Sequence, residues 1–465
     1  MSAVKSDRTN AVDFYSSPEL ERAEWEHIAT RHSSKIMLTV SICLVLLWPS
    51  LAIAQSQVTI DALAGADKGE HAPEVQPHFF GDWNGERERL LERGFNLNLE
   101  YVSDALWNVK SVQKERLAYF QRVRGTVDFD FGRLTGIHGL FLHMTAVYQG
   151  GGNLGQYLGT ITGPSGLASQ NTFRLDSWWL EKRWLDDRLV ARFGQFAAQD
   201  FYGTQLFGPS FVFEPLQYAL PNLFSSVYES FDPPSTPAGE IRVIPLPHFY
   251  VKSMVFASVR NPYALNPTGL VPQFRGDASS ASEIGYSPGK DASAVRAQDN
   301  VQARKGYSGL YQFGAIYNPG KFTSTSSPRP VSGNYLIYAE ANQAIYRTSR
   351  EESRGIDATL NVDWSPRDRS RNNQVFTAGT RFNEPLPIRL HNLIGVAYVR
   401  NGINKSFPVS PPVVAVRDAE HGFEANLLVE FPHAVTIQPV VQYYVNVGGS
   451  SNNALVCGFH TKINF

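Results

Sequence analysis

The residues from Ala454 to Phe465 separate into two alternating sets. Leu455, Cys457, Phe459, Thr461, Ile463 and Phe465 are apolar but for one threonine. Ala454, Val456, Gly458, His460, Lys462 and Asn464 become small or polar toward the end. A repeat of two is that of a β-strand with a different solvent on each face. One half-buried soluble sheet would account for a single such stretch, so the rest of the chain has to be asked whether it repeats.

It does. Phe95, Leu97, Leu99 and Tyr101 alternate with Asn96, Asn98 and Glu100. Val123, Gly125, Val127, Phe129 and Phe131 alternate with Arg122, Arg124, Thr126, Asp128 and Asp130. The pattern returns at Leu140–Gln149, Arg188–Gly194, Asp357–Trp364, Glu424–Phe431 and Val435–Tyr443. Segments of about ten residues, apolar on one face and polar on the other, are what a water-filled transmembrane barrel requires. In lipid every backbone group must be paired and no sheet edge can stay open. The expected fold is all-β: a transmembrane antiparallel up-and-down barrel with a short N-terminal periplasmic helix. Roughly fifteen strands can be counted; an even number is expected, which gives sixteen. The unassigned strand is placed in Asp200–Asp232, where proline and aromatics blur the pattern.

Composition agrees. A mean hydropathy of −0.24 excludes a helical membrane bundle. Aromatic residues make up 12% of the chain, enough for girdles at two membrane interfaces. A formal net charge of −1 argues against a nucleic-acid partner. Of the two cysteines, Cys43 falls in the N-terminal apolar run and Cys457 reads as a small hydrophobe on a strand face.

Residues 1–54 read as an N-terminal extension and a cleaved secretory signal. Arg31, His32 and Lys35 precede the apolar run Ile36–Trp48, and Ala52-Ile53-Ala54 offers a small-x-small cleavage site. That run is shorter than the about twenty residues of a membrane-spanning helix. Residues 55–94 form a polar periplasmic lead ending in a short helix. Asp82 is placed to cap it, Leu90 and Leu91 share a face, and Arg93-Gly94 closes it. It is the only convincing helix after residue 54. Residues 95–465 are the barrel.

Turn lengths alternate between short (Leu185-Asp186-Asp187, Leu246-Pro247, Pro432-His433) and long (Gly150–Asn171, Asn261–Lys305, Ser365–Asn373). The segment Asp200–Pro237 carries Phe207, Phe211, Phe213 and Phe224, which a solvated loop has no need of. It is expected to pack on protein, either inside the lumen or against a second protomer.

Several blocks resemble a known family. Gly81-Asp82-Trp83 with Gly85 and Arg93-Gly94 is similar to its opening motif. Trp179-Leu180-Glu181 with Gly194-Gln195, Gly333-Asn334-Tyr335, Trp364-Ser365-Pro366 and Gly395-Val396-Ala397-Tyr398 follow in the family's order. The closing set is Gln438-Pro439, Gln442-Tyr443, Asn446, Gly448-Gly449, Ala454-Leu455 and Phe465. Together these resemble the carbohydrate-selective porins of the outer membrane (OprB-like) over residues 80–465. Val447 stands where the family usually has proline, and Asn361 where an arginine is common. The resemblance implies a sixteen-stranded barrel in the Gram-negative outer membrane, a homotrimer, and passive diffusion of monosaccharides such as glucose. The aromatic Phe465 resembles the C-terminal signal read by the barrel-assembly machinery.

A pore that selects sugars needs hydrogen-bond donors and acceptors for hydroxyls and an aromatic face for CH groups. By inward parity the candidates are Glu100, Arg122, Arg124, Asp128, Asp130, Arg192, Arg242, Lys252 and Arg381, with Trp178 or Trp179 as a stacking platform. Each charge has a plainer reading as solvated lumen wall, and each aromatic as girdle. No G-x-S-x-G, H-E-x-x-H, P-loop or metal-like His/Cys spacing is present, so neither enzyme activity nor a cofactor or metal is expected. Two other functions stay open: a porin for organic acids or general solutes, and a plugged barrel acting as enzyme or adhesin.

Overall fold

Alternation of this kind leaves each strand two unpaired edges, and only closure removes them. The computed structural model describes residues 78–217, 235–259, 262–288, 307, 309–349, 354–407 and 416–465. The signal, the lead to Pro77 and Phe224 lie outside the described residues. The first eight strands are β1 (Phe95–Lys110), β2 (Arg116–Asp130), β3 (Leu140–Gly151), β4 (Thr172–Trp184), β5 (Leu189–Phe196), β6 (Thr236–Leu246), β7 (Phe249–Ser258) and β8 (Asp277–Tyr286). The second eight are β9 (Gly309–Phe322), β10 (Val331–Arg347), β11 (Gly355–Trp364), β12 (Asn372–Asn383), β13 (His391–Ile403), β14 (Ala419–Phe431), β15 (Val435–Val445) and β16 (Ala454–Asn464). Each pairs with its chain neighbours, and β1 pairs antiparallel with β16 to close the barrel.

The two parity sets take the two faces. Phe173, Leu180, Phe193, Ile241, Val255, Leu360, Val441 and Phe459 stand exposed on the outside, where lipid covers them. Asn98, Thr126, Thr359, Asn361, Asp363, Thr377, Gln438 and Gln442 are buried within.

The strand missing from the sequence count is β8. It lies inside the stretch Asn261–Lys305, expected to be a long loop, and the described part of Asp200–Asp232 contains no strand. The reason is chemical. Its exposed set is Ala278, Ser280, Ser282, Ile284 and Tyr286, and its buried set Ser279, Ala281, Glu283 and Gly285. Both faces are built largely from small residues, so hydropathy barely alternates. Outside the barrel, the Ser253 and Ser282 hydroxyls satisfy each other at 2.6 Å.

The helix of the lead is α1 (Glu86–Glu92). Its N-cap is Gly85 at φ 84°, with no capping side chain; Asp82 instead offers its backbone carbonyl to the Arg87 N–H at 3.2 Å. It is not alone. Among the described residues four short helices occupy connections: α2 (Phe131–Thr135), α3 (Leu154–Leu158), α4 (Glu214–Gln217) and α5 (Pro262–Leu265). A helix of one turn shows no periodicity to read. Local caps mark α2 and α3: Asp130 accepts from the N–H groups of Gly132 and Arg133, and Asn153 from that of Gln156.

The lead also fastens the barrel seam. The Phe79 N–H donates to the Asn464 carbonyl at 2.7 Å, and the Phe465 N–H to that of Leu99 at 2.9 Å. Arg87 Nη2 donates to the Phe465 backbone oxygen at 2.6 Å while its guanidinium lies 4.1 Å from the Trp83 ring centre. The Phe79 and Phe80 rings pack 5.8 and 5.6 Å from Phe465. Replacing both Arg87 and Phe80 by alanine is expected to remove about 1–2 kcal/mol from the closed seam. The check is the temperature at which folded protein shifts to the unfolded band on a gel, which should fall.

Candidate pore constriction

Any backbone that leaves the wall and enters the lumen loses water and must find new partners for its N–H and C=O groups. Among the described residues, two connections that do this are received by carboxylates. The first runs from Ala197 to Gln217, through two short 3₁₀ turns and α4. Phe207, Phe211, Val212, Phe213 and Leu216 are all buried along it. The Val212 and Phe213 N–H groups donate to Glu424 of β14 at 2.9 and 2.7 Å. Asn426 and Gln438 donate to the Ser210 carbonyl at 3.1 and 2.8 Å. The Gly203 N–H donates to Glu283 of β8 at 2.7 Å. The described part of this segment therefore packs on its own barrel from within, as the lumen reading requires and the protomer-contact reading does not.

The second connection, residues 152–171, lies against the first. Its Ile161 and Thr162 N–H groups donate to Glu420, which also receives the Gly448 N–H. Ser165 donates to Asp104, whose other oxygen meets His460 Nδ1 at 2.7 Å across the seam. The two connections pair directly: the Glu214 N–H donates to the Gly163 carbonyl at 3.1 Å, and the Gly163 N–H returns to the Glu214 carboxylate at 3.0 Å.

Glycine in the wall makes room for this packing. A Cβ built on Gly379 or Gly395 would stand 2.9 or 3.0 Å from the Phe211 ring, and one on Gly422 would stand 2.9 Å from the Phe213 ring. The phenylalanines sit in hollows that any other residue would fill.

Charged rungs line the remaining wall. Arg192 of β5 donates twice to Glu181 of β4, at 2.9 and 2.6 Å, and once to Glu240 of β6 at 2.7 Å. These three stand opposite one another in register. Glu181 also takes Arg183 Nε at 2.6 Å. Across the seam Lys462 pairs with Glu100 at 2.6 Å, and Glu100 stands opposite Arg124.

The candidates divide accordingly. Glu100, Arg124, Arg192 and Arg242 are half-buried and belong to the inward set. Arg122 is buried, with Nε on Gln149 at 2.9 Å. Asp128 is buried against His143 Nδ1 at 2.6 Å. Asp130 ends β2 and caps α2. Arg381 is buried under the loop, donating to Asp357 at 2.7 Å and Ser210 at 3.0 Å with Phe207 4.2 Å from its guanidinium. Lys252 pairs with Glu283 at 2.8 Å and donates to the Phe201 carbonyl. Trp178 needs correction: an irregularity in the β3–β4 register precedes it, and Trp179 is the inward ring. Trp179 is itself covered by His143, so it presents no open platform. Sequence parity missed the anchoring roles of Glu420, Glu424, Glu214 and Asp104; the loop phenylalanines were their only signal. Among the described residues, no group of three or more His, Cys, Asp or Glu is arranged to hold a metal ion.

Two predictions follow from this anchoring. Glu424→Ala strands two buried N–H groups at about 1–3 kcal/mol each. Single-channel recording should then show higher unitary conductance, as the loop leaves the wall. Glu214 lies on the lumenal loop, where burial pushes its carboxyl from 4.5 up to about 7 against the opposing Gly163 N–H. The fold thus prefers its neutral form. Its contribution is fully present below pH 4.5, falls by about 1.4 kcal/mol per pH unit as pH rises, and is lost above about 7. Unfolding temperature across that window should fall in the wild type and flatten in Glu214→Gln.

The sequence pattern of the carbohydrate-selective porin, OprB family, matches residues 114–465. Porin B of Pseudomonas aeruginosa is 22% identical over 445 residues, covering 86% of this chain and 95% of that protein. The high-pH structure of Pseudomonas putida OprB superposes with a TM-score of 0.72 at 19% identity, over 83% of this chain and 97% of that one. The low-pH structure of the same protein gives 0.54 at 16% identity, over 83% and 98%. These solved structures share the fold. A family match that runs from before β2 to Phe465, on a closed barrel of sixteen strands, places this chain in the carbohydrate-selective porin, OprB family.

Proposed function

We propose that this outer-membrane sugar porin passes monosaccharides such as glucose by passive diffusion, and that the discriminating contacts come from Glu100, Arg124, Arg192 and Arg242. The observation that carries the reading is the chain from Ala197 to Gln217 folded inside its own barrel and bonded to Glu424, Asn426 and Gln438. It narrows the lumen without depending on solute. A guanidinium fork donates to neighbouring hydroxyls, and a carboxylate accepts from them. Arg192 between Glu181 and Glu240 offers both chemistries within one rung. Binding of this kind is weak, as release requires.

The chain is on this reading a conduit and not an enzyme, since its inward carboxylates serve as acceptors for loop backbone or as partners of wall cations. The signal ending at Ala54 would direct secretion and be removed there, residues 55–94 would remain in the periplasm, and Phe465 would be read by the barrel-assembly machinery. The family resemblance carries the homotrimer, which unheated gel mobility would test.

The functional test is solute flux into liposomes holding the purified protein. Glucose should enter fast, a disaccharide slowly, and added glucose should lower single-channel conductance. Arg192→Ala should weaken that block several-fold, the scale of one net hydrogen bond of about 0.5–1.5 kcal/mol. Equal entry of glucose, disaccharide and an anionic sugar acid would reduce the protein to a general diffusion pore.

A further inference from the structure

One row along the wall from the Arg192 rung, in the register His143–Trp179–Gly194, lies a stack of groups that the pore itself does not use. Asp128 Oδ1 holds His143 Nδ1 at 2.6 Å, and His143 Nε2 meets the Thr145 hydroxyl at 2.8 Å. Thr145 in turn meets Thr126 at 3.1 Å. With both nitrogens engaged, the imidazole cannot turn. It lies flat on the Trp179 indole, ring centres 3.7 Å apart and planes 19° apart. The far edge of Trp179 meets Phe196 and Phe201 at 5.8 and 5.6 Å. The Arg192 guanidinium lies 4.1 Å from the centre of Phe201 and 5.6 Å from that of Trp179.

Asp128, His143 and Trp179 are 0, 1 and 2% exposed, so a solute in the lumen cannot touch them. Arg192 retains 12% of its side-chain surface. Its two carboxylate partners fix where its nitrogens point, but both stand in its own row across the wall. Outside that row, the Phe201 and Trp179 rings stand against its guanidinium.

We infer that His143 and Trp179 are positioning residues of the constriction, holding the Arg192 guanidinium at a fixed tilt and thereby setting the pore's discrimination among solutes. The inference rests on the reading of Arg192 as a solute contact. Asp128 belongs to the same device: its carboxylate orients the imidazole that keeps the indole in place. A cation held on an aromatic face is worth about 0.5–1 kcal/mol, so its loss should appear as roughly a threefold change in solute affinity.

The test is a double-mutant cycle on Trp179→Leu and Arg192→Ala, read by glucose block and by reversal potential in a potassium chloride gradient. Heat-modifiable gel mobility confirms that each variant is a folded barrel. Trp179→Leu is expected to weaken glucose block about threefold, the double variant to match Arg192→Ala alone, and Trp179→Phe to stay near wild type because it keeps a ring behind Phe201. His143→Leu should move in the same direction as Trp179→Leu. Additive effects, or a silent Trp179→Leu beside an active Arg192→Ala, would overturn the inference. Absence of glucose block in the wild type would sink the sugar reading alone, because the reversal potential still reports on the tilt of Arg192.

Discussion

A peptide group taken out of water must be hydrogen-bonded, and this barrel meets that requirement twice. In the wall, sixteen strands pair with their neighbours and β1 meets β16, so no edge faces lipid. Inside, two of the described connections enter the lumen and their N–H groups are received by Glu420, Glu424, Glu283 and Glu214. The second solution depends on the first. Only a closed wall with period-two alternation can aim carboxylates from several strands at one loop.

The inward charges consequently do two different jobs. Some are spent as acceptors or counter-ions for buried chain, as with Glu424, Arg381 and Lys252. Others, Glu100, Arg124, Arg192 and Arg242, keep part of their surface toward the lumen. Parity along a strand cannot tell these apart, because both kinds occupy the same alternate positions. What separates them is which loop lies on top, and the loop is distant in sequence: Glu424 and Val212 are 212 residues apart.

Much of the architecture was legible. Barrel closure, strand direction, the even count and the inward set on β1, β2, β5, β11, β14 and β15 follow from alternation. β8 was not, because serine and alanine occupy both of its faces. Adjacent residues of a strand face opposite ways, so only one of Trp178 and Trp179 can face inward, and an irregularity beside them decided which. Asp82 lost the cap of α1 to Gly85, whose left-handed backbone turns the chain before a side chain is needed. The phenylalanines of the lumenal segment signalled packing on protein without saying which protein.

The sequence by itself determined that this chain is a barrel with a polar interior, since a repeat of two demands two solvents and lipid forbids an open edge. Only the tertiary structure decided what the interior does. Closing the wall brings β8, β12, β14 and β15 around the segment that follows β5, and that convergence turns one set of acidic residues into anchors. It leaves a small group of charges facing the passage, because a side chain covered by a loop has exchanged its water for protein and one left uncovered has not.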